Sequence, residues 1–180
     1  MGSRLRTNSN INHIYECYLE IGLPSGPSDS PFILQKYPEN YCSQEILKCV
    51  PQFAYPCAMT TETVTHFSFV LTNIDSKWTF GFCRQAPDSQ TCLVMLSYLP
   101  WHSTFFRILN HCAEMTNNSN KAKYLFKFLD SIYSLEVPQP GLQFSVTYCT
   151  DDKVYEFTAV CPDHLKLPSI PQDVSLFVWF

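Results

Sequence analysis

Residues 66 to 101, HFSFVLTNIDSKWTFGFCRQAPDSQTCLVMLSYLPW, restrict the fold of this chain more than any other stretch: they read as three successive antiparallel strands running into a helix. In the first strand Phe67, Phe69 and Leu71 share one face and Ser68, Val70 and Thr72 the other, the period-2 alternation of a half-buried strand. Asn73, Asp75 and Ser76 then supply turn chemistry, since their side chains bond the local backbone and Asn and Asp tolerate the left-handed region. The return strand alternates again, Trp78, Phe80 and Phe82 against Thr79, Gly81 and Cys83, up to Arg84. Gly81 packs nothing in mid-strand and therefore points to a bulge or a close backbone approach. Residues 92 to 99 are apolar on both faces, which predicts a buried strand rather than an edge.

The flanking segments add to this sheet. Tyr15, Cys17, Leu19 and Ile21 against Glu16 and Glu20 predict a strand with one wet face, and residues 32 to 37 predict a second. Ser43 is placed to cap a short helix over 44 to 50, which Pro51 ends. Pro100 suits the first turn of a helix, where its missing N–H costs nothing, and Phe105, Ile108, Leu109 and Cys112 then give one apolar face up to Asn117 and Asn118. A further helix over 121 to 134 carries Tyr124, Leu125, Phe128, Leu129 and Ile132 on one stripe, with Lys121, Lys123, Lys127 and Asp130 outward. After the break at Pro138 and Pro140, residues 142 to 148 and 154 to 160 alternate like a hairpin across Thr150, Asp151 and Asp152. The order predicts an α+β domain: an antiparallel sheet of about five strands with helices on its faces, plus a C-terminal β extension.

Composition excludes several function classes. A net charge of −4, with only Arg4 and Arg6 clustered among the basic residues, gives no nucleic-acid surface, because phosphate binding is carried by grouped Lys and Arg. Hydrophobic content of 46% against 16% charged predicts a packed core with some apolar surface covered by a partner. The polar N-terminus through Asn12 lacks a signal peptide, no apolar run approaches the roughly 18 residues of a membrane span, and Arg6 breaks the myristoylation pattern. Nine cysteines, an odd number without a Cys-x-x-Cys pair, speak for free and mostly buried thiols in a cytosolic chain.

Catalytic and metal chemistry finds no footing either. His111 and Cys112 are sequence neighbours, but adjacent side chains on a helix diverge and cannot pair. No two histidines sit four apart, and Cys42 and Cys49 have a spacing that common metal sites do not use. Asp151 and Asp152 fall in a predicted turn, and five glycines make no phosphate-cradling loop. The sequence thus predicts no catalytic, cofactor-binding or metal-binding residues.

The hairpin with its FGFCR ending (80 to 84), followed by LSYLPW (96 to 101), resembles the upstream DENN (uDENN) segment of the connecdenn family, the DENN domain-containing protein 1 group. MGSR at the start, YPENY (37 to 41), SQEIL (43 to 47), VPQFAYP (50 to 56) and LPSIP (167 to 171) are similar to further family blocks in the same order. The likeness is loose between 113 and 165, and it departs at His102 and Ser103, where the family has an aromatic pair, and at Phe53-Ala54-Tyr55-Pro56, where it has Phe-Cys-Phe-Pro.

The resemblance implies a longin-like lobe over 13 to 136, after a disordered stretch 1 to 12, with 137 to 180 leading toward a second DENN lobe outside this chain. It implies binding of a Rab family small GTPase in its GDP-bound or nucleotide-free state and exchange of its nucleotide without covalent chemistry, weakly by this lobe alone. By the same likeness the setting is cytoplasmic, at clathrin-coated vesicles and early endosomes. Clathrin and adaptor contacts would lie in regions absent here, and membrane association would be peripheral, through partners. Arg84, Tyr98, Trp101 and His102, at the hairpin end and the strand-to-helix corner, are the candidate partner-binding residues, since aromatics and arginines make interface hot spots. The alternative is a longin-like interaction module, a truncated isoform or partial gene product without exchange activity.

Overall fold

The computed structural model describes residues 11–23, 26, 29–56, 62–74, 76–87, 89–151 and 153–163. The expectation for residues 1 to 10 lies outside these, as does that for the end of the segment 137 to 180. Five strands, β1 (Cys17–Gly22), β2 (Phe32–Tyr37), β3 (Thr65–Thr72), β4 (Trp78–Gln85) and β5 (Thr91–Ser97), form one sheet in the order β2-β1-β5-β4-β3, every neighbour antiparallel. This is the predicted α+β plan. β4 and β5 lie inside the sheet, which is why residues 92 to 96 are buried on both faces.

Alternation in β3 and β4 sorts the side chains into two cores. On one face Tyr18, Phe80, Phe82, Leu93 and Met95 meet α2 (His102–Thr116) and α4 (Leu125–Tyr133), through Phe105, Ile108, Leu109, Phe128 and Ile132. On the other, Cys17, Leu19, Ile21, Phe69, Leu71, Cys83, Val94 and Leu96 meet α1 (Gln44–Ala54) through Val50 and Ala54. Gly81 shows why a side chain is missing at its position. It pairs with Phe69 in an unbroken register, and the Phe69 ring lies where a Cβ on residue 81 would be, 2.2 Å from its Cζ. The close approach is realised and there is no bulge.

Three expectations need correction. β1 has no wet face: Tyr18 is fully buried opposite Leu19, and Glu20 is half-buried with Gln35 Nε2 donating to it at 2.5 Å. The reason is position, since β1 runs between β2 and β5 with helices over both sides. α1 continues through Pro51 to Ala54, and Ser43 makes no side-chain cap bond. Proline removes one hydrogen bond there, but Val50, Pro51 and Ala54 are all buried, and the Tyr55 N–H still reaches the Pro51 carbonyl at 3.2 Å. The helix expected over 121 to 134 is broken into a single turn, α3 (Ser119–Ala122), and α4. Tyr124 stands at the break as the residue before α4, and its hydroxyl accepts a hydrogen bond from the Asp151 N–H at 2.8 Å.

That bond ties α4 to a second sheet, the hairpin of β6 (Gln143–Cys149) and β7 (Val154–Val160). Its inward residues Phe144, Val146, Tyr148, Phe157 and Ala159 join the same core as α2 and α4, and the Thr104 hydroxyl donates to the Val160 carbonyl at 2.7 Å. His111 of α2 sits among Phe128, Tyr148 and Phe157, with Nε2 3.0 Å from the Tyr148 hydroxyl. Burial lowers its pKa, Arg107 and Lys121 add to the shift, and Glu114 opposes it. A base whose folded pKa is depressed binds protons more readily when unfolded, so its contribution is intact above the unfolded value of about 6.5 and is lost as pH falls below it. Stability should therefore decline on acidification from pH 7 to 5, and His111→Gln should flatten that slope in denaturant titrations at several pH values. An unchanged slope would remove His111 as its source.

Of the eight described cysteines, Cys17, Cys83, Cys92, Cys112 and Cys161 are buried and all eight are free thiols. Burial raises the thiols of Cys17, Cys83 and Cys112 well above the ordinary range, which keeps them un-ionised and inert.

Candidate functional site

The strand-to-helix corner and the outer edge of the sheet meet along one side of α2. His102, Phe106 and Asn110 recur every four residues and so lie on one stripe of that helix, beside the β3–β4 pair. Across the ladder His66 of β3 stands directly opposite Arg84 of β4. Both converge on one acceptor: Arg84 Nε donates to Asn110 Oδ1 at 2.7 Å, and His66 Nε2 is 2.9 Å from the same oxygen. The Phe106 ring lies 5.0 Å from that of His66 and 5.9 Å from that of Phe82, while His102 sets its ring edge-on to Phe82 at 5.1 Å.

Arg84 and His102, the two sequence candidates found here, thus belong to one polar and aromatic strip. Arg84 is half-buried against a neutral amide, and among the described residues it has no ion pair. Burial lowers its pKa, Glu114 opposing, yet the guanidinium remains charged. His102 is exposed at the helix start, its Nδ1 3.2 Å from the Pro100 carbonyl. Tyr98 is not in the strip; it is half-buried toward Tyr41, whose phenol is pushed up by burial first, with Cys17 and Tyr98 adding. Trp101 is not a surface residue at all: its side chain is 1% exposed, stacked on Phe105 at 6.4 Å. As the residue before the helix it must turn inward, because Phe105 and Leu109 one and two turns on face the core.

His66, Phe106 and Asn110 escaped sequence reading. The spacing 102, 106, 110 was the available signal, but the bonds that join Asn110 to Arg84 and His66 span 26 and 44 residues. Chemically the strip presents a cation, imidazoles and an aromatic ring along one side of α2. Among the described residues no group of three or more His, Cys, Asp or Glu side chains could hold a metal ion, and no helix is long and apolar enough to cross a membrane.

The fold is a five-stranded antiparallel sheet between helical layers, with the polar and aromatic strip along one side of α2. The chain belongs to the DENN domain family: the uDENN domain matches residues 31–86 and the DENN (AEX-3) domain residues 88–180. It is 34% identical to mouse DENN domain-containing protein 1A over 186 residues, which is all of this chain and 17% of that protein, and the human 1A protein gives the same figures. Mouse DENN domain-containing protein 1B is 32% identical over 181 residues, 97% of this chain and 22% of that protein. The chain therefore spans about a fifth of the length of these relatives. The two matches meet between β4 and β5, which are neighbours in the sheet, so both segments build one folded unit. The resemblance assigned the hairpin and the LSYLPW corner together to uDENN, whereas the corner lies within the DENN match.

Proposed function

We propose that this chain supplies one lobe of a Rab guanine-nucleotide exchange factor of the connecdenn type, acting in clathrin-mediated endocytosis and endosomal recycling on the cytoplasmic side of vesicles and early endosomes. Membership of the DENN family is the observation that carries the reading. The strip of His66, Arg84, His102 and Phe106 is the surface we assign to a GDP-bound or nucleotide-free Rab. Exchange needs no covalent step: a partner that binds the empty GTPase more tightly than the loaded one shifts the population toward nucleotide loss.

A specific interface usually buries about 1,200–2,000 Å² in total, and a surface shared with a second lobe leaves this one part of that. Release of a fluorescent GDP analogue from a panel of Rab proteins should thus be slow with this chain at micromolar concentration. It should be faster with a chain extended through the remaining DENN region, and Arg84→Ala in the extended chain should reduce the rate at least tenfold. Full-rate exchange by the 180 residues alone would overturn the shared surface. No exchange by either chain would leave an interaction module without exchange activity.

A further inference from the structure

Four of the eight lysines in a chain of net charge −4 gather at one corner, where α3 and the start of α4 face the β6–β7 turn: Lys121, Lys123, Lys127 and Lys153. Lys121, Lys123 and Lys153 border a groove of about 440 Å³ whose walls include Tyr124, Tyr155, Asn118 and Thr150. Tyr155 is half-buried in its wall and Tyr124 is buried behind it. Lys121 stands 4.8 Å from the centre of the Tyr155 ring, while Lys123 and Lys127 stand 4.9 and 5.4 Å from that of Tyr124. The rings hold the ammonium groups in place through cation–π attraction.

This arrangement runs against local preference. The first turn of α4 has no acidic residue, and Lys123 and Lys127 lie beside the positive end of its dipole, where carboxylates are favoured. The unfavourable placement is offset locally by the Tyr124 ring and by Asp151. One carboxylate of the chain already shows what the corner takes: Asp151 is held by Lys123 Nζ, both side chains being more than half exposed. That single acid leaves Lys121 and Lys153 outside any ion pair with a carboxylate among the described residues.

We propose that this groove is a docking site for an acidic peptide segment, its carboxylates or phosphates bound by Lys121 and Lys153 and its backbone lying along the Tyr155 side of the groove. Charge complementarity selects the occupant, and opposite charge at an exposed rim governs capture and its salt dependence. A concave site of this volume admits a chain of several side chains, whereas a bilayer presents a broad surface to a convex face. The groove shares no residue with the strip along α2, so a partner here can be held while that strip is occupied.

The test is fluorescence anisotropy of a labelled six-glutamate peptide against its six-glutamine counterpart, titrated with the full chain at 50 and 300 mM salt. Binding of the glutamate peptide alone is expected, weakening with salt. Lys121→Glu with Lys153→Glu should weaken it at least tenfold, while Lys48→Glu with Lys77→Glu, the same charge change elsewhere, should alter it less than twofold. Circular dichroism confirms folding, and Lys121→Gln with Lys153→Gln gives the milder variant. The proposal is overturned by equal losses in both charge-reversed pairs, by no binding of the glutamate peptide, or by groove-dependent binding of phosphatidylserine vesicles alone.

Discussion

Phe82→Ala will remove about 3–5 kcal/mol of folding stability, the cost of truncating a fully buried aromatic that leaves a cavity behind. The ring is 0% exposed and is the centre of an aromatic group: Phe105 stacks on it at 4.5 Å, Phe106 and His102 meet it edge-on at 5.9 and 5.1 Å, and Phe80 follows along the strand at 6.4 Å. Such ring pairs add about 0.5–1.5 kcal/mol beyond the area they bury, which places this position at the upper part of the range. Domains of this kind have only about 5–15 kcal/mol in total, so the variant should unfold at much lower urea in a denaturant titration. Phe80→Ala, at 3% exposure on the same face, should fall in the same range. Ile74→Ala is the control, because that side chain is 94% exposed in the β3–β4 turn and should shift stability by less than about 0.5 kcal/mol. A Phe82→Ala loss under 1 kcal/mol would mean that the inward face of β4 is wrongly assigned.

Phe80 and Phe82 were legible because a strand sorts its side chains by parity, and nothing more than order along the chain is needed to see it. The β6–β7 hairpin was legible for the same reason, its burial alternating residue by residue. β1 was misread where parity gave the wrong message: Glu16, Tyr18 and Glu20 look like a wet face, but Tyr18 pairs across to Met95 and Tyr37 and is covered by helix. Whether a strand has two covered faces depends on its place in the sheet, which its own residues do not encode. The passage of α1 through Pro51 has a packing cause: burial of Val50, Pro51 and Ala54 outweighs a local preference. The strip on α2 was half visible. Arg84 and His102 announced themselves by residue type, whereas Asn110 is an ordinary helix-surface amide until the sheet brings Arg84 and His66 to it.

Gly81→Ala will be destabilising by about 1–3 kcal/mol, the range for forcing extra volume into a packed core, even though the same change ordinarily helps. At a position that tolerates it, replacing glycine by alanine stabilises by about 0.4–1 kcal/mol through the unfolded chain, and a strand interior should be such a position. The Phe69 ring reverses the sign. Its Cζ, Cε2 and Cε1 would lie 2.2, 2.4 and 2.5 Å from the new methyl carbon, all nearer than real Cβ contacts come. The ring has little room to swing away, because Phe53 of α1 stacks on it at 5.2 Å and both belong to the second core. The strain must therefore spread into the β3–β4 pair or lift α1 from the sheet. Phe69→Leu, which shortens the side chain over residue 81, should cost stability in the native background and recover part of the loss in the Gly81→Ala background. A double-mutant cycle by denaturant titration measures that coupling. Additive losses, or a Gly81→Ala variant as stable as the parent, would show that the ring does not occupy the space above residue 81.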